Sequence, residues 1–199
     1  MLKPSKNTVS FRFGDQTYTW GDCNNWVLFA GPDLAEDEGL VLETAQELKK
    51  ITAENNVPWI LKCSFDKANR TSGKSFRGQG VEGGLKILQT VKEKVGCPVI
   101  TDIHDVSQVP QVAEVADVIQ IPAFLCRQTD LLHAVADTQK VMHVKKGQFL
   151  APWDMANVAT KIASTGCENI MLAERGASFG YNTLVTDFTK ATRQMTVIK

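Results

Sequence analysis

The sequence has no excess of charge of either sign: 22 Lys and Arg are balanced by 22 Asp and Glu. Nothing global therefore points to a nucleic acid or an anionic membrane surface as partner. No apolar run approaches the ~18 residues of a membrane span. The opening "MLKPSKNTVSFRFG" lacks the apolar core of a secretory signal. The five cysteines (Cys23, Cys63, Cys97, Cys126, Cys167) are odd in number and none are in CxxC spacing. A disulfide framework and a zinc knuckle are both unexpected on that count, and a reduced, cytoplasmic setting fits best. No GxGxxG follows the first apolar run, which weakens a dinucleotide reading. What is present is an ordinary globular composition over 199 residues, 43% hydrophobic and 22% charged, enough for one domain with a core of useful size.

Residues 1–20 stand apart. "TVSFRFGDQTYTW" alternates apolar and polar residues on both sides of Gly14-Asp15, which predicts a β-hairpin. From residue 21 onward, short runs rich in Val, Ile and Leu recur at 26–31, 58–65, 97–104, 117–124, 141–149 and 169–176. Such runs read as buried parallel strands. Segments with helical apolar spacing lie at 37–55, 81–96, 129–138 and 153–166, with Gly166 as a stop, and 184–194 reads as a further helix. The terminal "MTVIK" reads as the start of a seventh strand. This βα alternation argues for an α/β fold with a parallel sheet, either doubly wound or a (β/α)8 TIM barrel.

The polar residues favour the barrel. Lys62 and Ser64, Asp102 and His104, Gln120, Lys145, and Glu174 with Arg175 fall late in five consecutive predicted strands. In a barrel those strand ends form one mouth, and the active site is built there. The hairpin would then cap the barrel bottom, with Trp20 and Trp26 helping to close it. A complete barrel takes typically about 250 residues, so six βα units give an incomplete one.

The stretch "KCSFDKANRTSGKSFRGQG" (62–80) carries Lys62, Lys67, Arg70, Lys74 and Arg77 against the single acid Asp66, and ends in glycines. A solvated basic loop is the plain reading of such a run. Lys62 argues against it, because an unpaired charge inside an apolar strand is costly. Loop cations among exposed backbone N–H groups suit a phosphate, and Gly78 and Gly80 would allow close backbone approach or ease entry to the next helix. If Arg127, Lys145 and Arg175 share the mouth, the charge suits two phosphates, or a phosphate and a carboxylate.

These segments, "SFDKANRTS", "SFRGQG", "TDIH", "IQIPAFLCRQTDLL", "VKKGQF" and "ERGASFGY", resemble in order those of the 3-deoxy-D-manno-octulosonate 8-phosphate synthase family, over nearly the whole chain. The resemblance implies a transferase that condenses phosphoenolpyruvate with D-arabinose 5-phosphate, serving lipopolysaccharide or plant pectin synthesis, and a homotetramer. It implies phosphoenolpyruvate contacts at Lys62, Gln120, Ala123, Phe124, Arg127, Lys145 and Arg175. It implies arabinose 5-phosphate contacts at Ser64, Lys67, Asn69, Arg70, Thr71 and Asp102. Lys62, Lys67, Asp102 and Lys145 are the implied catalytic group, acting by positioning and electrostatics.

Two departures stand out. Asp33 occupies a position where the family has Cys in metal-dependent members and Asn in metal-independent ones. A carboxylate there can ligate a hard divalent ion or stand in for Asn; the expectation is that no metal or other cofactor is required. The chain also lacks the family's last two strands, so little or no activity is expected of these 199 residues alone. Two other readings stay open, a phosphosugar-binding fragment and a Schiff-base aldolase using Lys62 or Lys145. Of the remaining polar residues, Asp66 reads as a loop organiser, His143 as core filling, and Lys146 as pointing away from Lys145 toward solvent.

Overall fold

Strands buried on both faces are built mainly of apolar side chains, and the observed strands of the main sheet are apolar except for a few polar residues, most of them toward their C-terminal ends. The structure, a computed structural model, describes residues 8–21 and 26–187. By internal packing the chain divides into two units, one built from Arg12–Tyr18 and Trp26–Ile119, the other from the remainder.

The first unit runs β3 (Leu28–Ala30), α1 (Glu38–Glu54), β4 (Trp59–Lys62), α2 (Gly80–Val95), β5 (Val99–Asp102) and α3 (Val109–Val115). The hairpin strands β1 (Val9–Phe13) and β2 (Gln16–Trp20) precede them as a separate two-stranded sheet. They turn at Gly14, whose φ of +57° suits a residue without Cβ. Strands β3, β4 and β5 pair in parallel, with Ala30 opposite Leu61 and Lys62 opposite Ile100. Helix α1 starts at Asp37, whose carboxylate accepts a hydrogen bond from Leu40 N at 2.9 Å. Helix α2 buries Gly84, Leu85, Leu88, Val91 and Val95 along one face and ends at Gly96 in the left-handed region. Each of its large apolar side chains contributes roughly 1.5–3 kcal/mol on burial.

The second unit holds α4 (Thr129–Ala136), β7 (Val141–Lys145), α5 (Met155–Ala163), β8 (Ile170–Ala173) and the short antiparallel pair β9 (Ala177–Ser178) and β10 (Leu184–Val185). Strands β7 and β8 are parallel, Met142 facing Ile170 and Lys145 facing Ala173. Along the chain, β6 (Val118–Ile121) lies where the units adjoin, and all four of its residues are buried.

The six strands β3 to β8 form a sheet in chain order. A doubly wound sheet reverses its order at a switch point. Sequential parallel order with intervening helices is instead the arrangement of a (β/α) barrel, and this settles the fold class. Three expectations need correction. Leu184–Val185 form a strand rather than starting a helix, and the rest of that predicted helix, like "MTVIK", lies outside the described residues. Helix α3 was not marked by periodicity, being only 7 residues long with proline in its first turn. Trp26 is 65% exposed rather than buried as a closing residue would be.

Candidate functional site

Lys62, Lys67, Arg70 and Arg77 of β4 and its following loop each have an acidic partner, and the pairing begins in the sheet. Lys62 and Asp102 lie at the C-terminal ends of β4 and β5, and the parallel register sets Lys62 opposite Ile100. Asp102 is two residues further on, hence on the same face as Ile100. Lys62 Nζ donates to Asp102 Oδ1 at 3.0 Å, the two side chains being 22% and 13% exposed. The charge in the apolar strand thus has its counterion.

Beyond β4 the chain enters the loop of residues 63–79. Ser64 is fully buried, and its N–H donates to the backbone oxygen of Asp33 at 3.4 Å, extending the β3–β4 pairing by a bridge to Leu34. Lys67 Nζ donates to Asp33 Oδ1 at 2.5 Å and to Ser64 Oγ at 3.0 Å. Arg70 Nη2 stands 3.8 Å from the other oxygen of Asp33. The base of the loop is clamped: buried Asp66 accepts from Arg77 Nε at 3.0 Å and Nη2 at 2.5 Å, and Lys67 N–H donates to Arg77 O at 2.9 Å. The hydrogen bonds that Arg77 donates to Asp66 hold its guanidinium above its ordinary pKa. Asn69, Arg70 and Thr71 lie on the exposed span between the clamped ends.

The glycines serve this clamp. A Cβ on Gly78 (φ +125°) would come within 2.7 Å of Phe65 O, and one on Gly84 within 2.6 Å of the same oxygen. Gly78 therefore lets the returning loop, and Gly84 helix α2, approach the Phe65 backbone. His104 packs edge-on against Phe65 with ring centroids 5.4 Å apart, and its backbone N–H donates to Gln108 Oε1. Burial lowers its pKa, with Asp102 and Asp66 opposing. Cys63, fully buried, is pushed up to about 12 by burial, against the pull of Lys62 and Lys67, so it is no ready nucleophile. A cavity of about 370 Å³ in the same unit lies at the opposite, N-terminal strand ends, lined by Tyr18, Pro58, Trp59 and Cys97, and none of the loop cations reaches it.

In the second unit, buried Gln120 accepts through Oε1 from His143 Nδ1 at 3.0 Å, so His143 is a polar partner rather than core filling. Ala123 is buried and Phe124 is 57% exposed in a single 3-10 turn after β6. Lys145 ends β7 half-buried. Arg127 is exposed and Arg175 half-buried. Lys146 corrects an expectation: it is 1% exposed rather than solvent-directed. Its ammonium donates to the backbone oxygens of Gly147, Leu150 and Gly176 at 3.2, 3.1 and 2.9 Å, and lies 3.4 Å from Glu174 Oε1. Glu174 in turn accepts from the N–H groups of Arg175 and Gly176. Lys146 and Glu174 thereby fix the loops after β7 and β8, the first following directly on Lys145 and the second carrying Arg175. Neither this pair nor the Asp33–Lys67 contact is visible in local spacing, since the partners are 28 and 34 residues apart.

Among the described residues no three His, Cys, Asp or Glu side chains stand together so as to hold a metal ion. No described helix is long and apolar enough to cross a membrane.

Sequential parallel βα order, with polar side chains at the C-terminal ends of the strands, defines a protein of the (β/α) barrel class. The chain belongs to the DAHP synthetase I family, which it matches over residues 7–198. It is similar to proteins named 2-dehydro-3-deoxyphosphooctonate aldolase. The Cyanothece sp. relative is 58% identical over 168 residues, covering 84% of this chain and 62% of that protein. The Acidithiobacillus ferrooxidans relative is 58% identical over 162 residues, 81% of this chain and 58% of that protein. The Rickettsia typhi relative is 54% identical over 167 residues, 84% and 61% respectively. The chain thus spans about three fifths of the length of these relatives.

Proposed function

We propose that this chain carries substrate-binding machinery for the condensation of phosphoenolpyruvate with D-arabinose 5-phosphate, giving 3-deoxy-D-manno-octulosonate 8-phosphate and phosphate. The observation that carries this reading is the clamped loop between Asp66 and Arg77, which presents Arg70 beside Lys67 and follows directly from the Lys62–Asp102 pair. The name shared by the relatives supports the same reaction.

In this reading the sugar phosphate lies against Lys67, Asn69, Arg70 and Thr71, while Ser64 and Asp102 face the rest of the sugar. Lys62, Gln120, Arg127, Lys145 and Arg175 hold the phosphate and carboxylate of phosphoenolpyruvate, with Ala123 and Phe124 as its apolar wall. C3 of the enol attacks the aldehyde carbon, leaving an alkoxide on the sugar and an electron-poor C2. Water adds at C2 and the proton it loses balances the one taken up by the alkoxide; phosphate then leaves by C2–O cleavage, taking the remaining hydroxyl proton as the C2 carbonyl forms. Lysine and arginine donors fixed before the reaction stabilise the developing charges without reorganising, and holding both substrates in register supplies proximity. Lys62 is ion-paired to Asp102, which supports an electrostatic role over a Schiff-base one; a Schiff base needs an uncharged amine. The reading routes no step through a metal and takes Asp33 as an ion-pair partner. It also takes the working protein to be a cytoplasmic homotetramer.

The test is to incubate the 199-residue chain with both substrates and measure inorganic phosphate and the eight-carbon product, with separate titrations of each substrate. Product formation supports the full reading. Saturable binding of both substrates without product supports the binding-fragment reading. Binding of neither refutes both.

A further inference from the structure

We propose that Asp33 is an internal counter-anion for the Lys67–Arg70 pair and thereby sets how tightly that pair takes a phosphate. The inference rests on the reading above, that this loop receives a phosphorylated ligand.

Three features of the geometry carry it. The Lys67 side chain is only 13% exposed, and a cation so enclosed needs an anionic partner. Asp33 supplies it, one carboxylate oxygen on Lys67 Nζ at 2.5 Å and the other 3.8 Å from Arg70 Nη2. A single two-oxygen anion thus spans both cations, as two oxygens of a phosphate would. Finally, the Asp33 carboxylate is itself 73% exposed, while its backbone is tied to the end of β4 through Ser64. Its position is fixed by main chain, yet its side chain is free to swing away without loss of packing.

A phosphate approaching Lys67 and Arg70 must therefore displace the carboxylate or share the cations with it. Both cost affinity, since one negative charge opposes another. Asn at this position keeps the shape and a hydrogen-bond acceptor for Lys67 but removes the charge. The expected gain on Asp33→Asn is about tenfold in phosphate affinity, the size given by like charges about 5 Å apart at an effective dielectric near ~50.

The experiment is calorimetric titration of the 199-residue chain with inorganic phosphate and with D-arabinose 5-phosphate, at low salt and then in ~0.5 M salt, which screens surface charge. Wild type, Asp33→Asn, Arg70→Ala and the double variant are compared, after equal urea midpoints establish that all are folded. Tighter binding by Asp33→Asn, with the gain shrinking in salt and lost in the double variant, is the expected result. Equal or weaker binding by Asp33→Asn overturns the inference and leaves the proposed function standing. An increase in wild-type affinity on adding Mn²⁺ that Asp33→Asn lacks also overturns it, because Asp33 would then be a metal ligand. Binding of neither probe by any variant overturns both the inference and the reading beneath it.

Discussion

Removing Asp102 while keeping Lys62 should be among the most damaging single changes at the strand ends. Lys62 Nζ and Asp102 Oδ1 are 3.0 Å apart in adjacent parallel strands, with side chains only 22% and 13% exposed. Breaking a fully buried ion pair costs about 3–5 kcal/mol, because the surviving charge loses its partner in a medium that solvates it poorly. The remaining exposure lets water reach the ammonium, so the expected cost of Asp102→Ala is about 2–3 kcal/mol. Asp102→Asn keeps an acceptor and should cost about half that. The double change Lys62→Met with Asp102→Leu removes both charges and should lie within ~1 kcal/mol of wild type, since apolar replacements of buried pairs are often neutral. Urea unfolding followed by tryptophan fluorescence, with m-values checked for constancy, reads all four proteins. Single-variant costs that simply add in the double variant would refute the argument, because an unpaired buried charge requires strong coupling.

Other outcomes follow from the same geometry. Asp66→Ala removes the carboxylate that accepts both hydrogen bonds from Arg77 and should open the loop, seen as faster proteolytic cleavage within residues 67–77 while the helices stay protected. Lys146→Met leaves the Gly147, Leu150 and Gly176 oxygens and the Glu174 carboxylate without their shared cation. Its expected cost is about 3 kcal/mol, at the low end for a broken buried pair because Glu174 keeps two N–H donors, and equal unfolding midpoints would contradict it. Stability should fall on both sides of neutrality. His104 titrates below its ordinary 6.5 when folded, so below about that pH the unfolded chain binds the proton first and stability drops as pH falls. Cys63 and Tyr18 are each raised to about 12 when folded, from 9.0 and 10.0, so above pH 9 the unfolded chain ionises first and stability drops as pH rises. Replacing Cys63 by Ala should flatten part of the alkaline limb of a midpoint-versus-pH curve.

Much of the fold was legible because buried parallel strands write themselves as short apolar runs. The six predicted runs contain the six observed strands, and alternation within them placed Lys62, Asp102 and Lys145 at strand ends. The turn at Gly14-Asp15 was equally plain. What failed to show was whatever depends on a distant partner. Lys146 follows Lys145 by one residue, and period-two alternation sends it outward. Three backbone oxygens and Glu174 instead receive its ammonium in a buried site that no local pattern encodes. Asp66 reads as a loop organiser from sequence, but its partner Arg77 lies eleven residues away across the loop it closes. Gly78 and Gly80 looked like provision for a ligand or a helix start, yet Gly78 accommodates the backbone of Phe65, as does Gly84, which the sequence did not single out. Segment 184–185 misled because its apolar pair fits a helix start as well as the short strand paired to Ala177–Ser178.

The central claim is that the loop after β4 takes a phosphorylated sugar through Arg70. The most direct measurement is calorimetric titration of D-arabinose 5-phosphate into the wild-type chain and Arg70→Ala, with D-arabinose as the control ligand. The account predicts saturable binding of the sugar phosphate by wild type, no binding of the unphosphorylated sugar, and a loss of about 1.5–3 kcal/mol in Arg70→Ala, the range of a charged hydrogen bond. Equal affinity of the two proteins for arabinose 5-phosphate, or equal binding of arabinose itself, would contradict it.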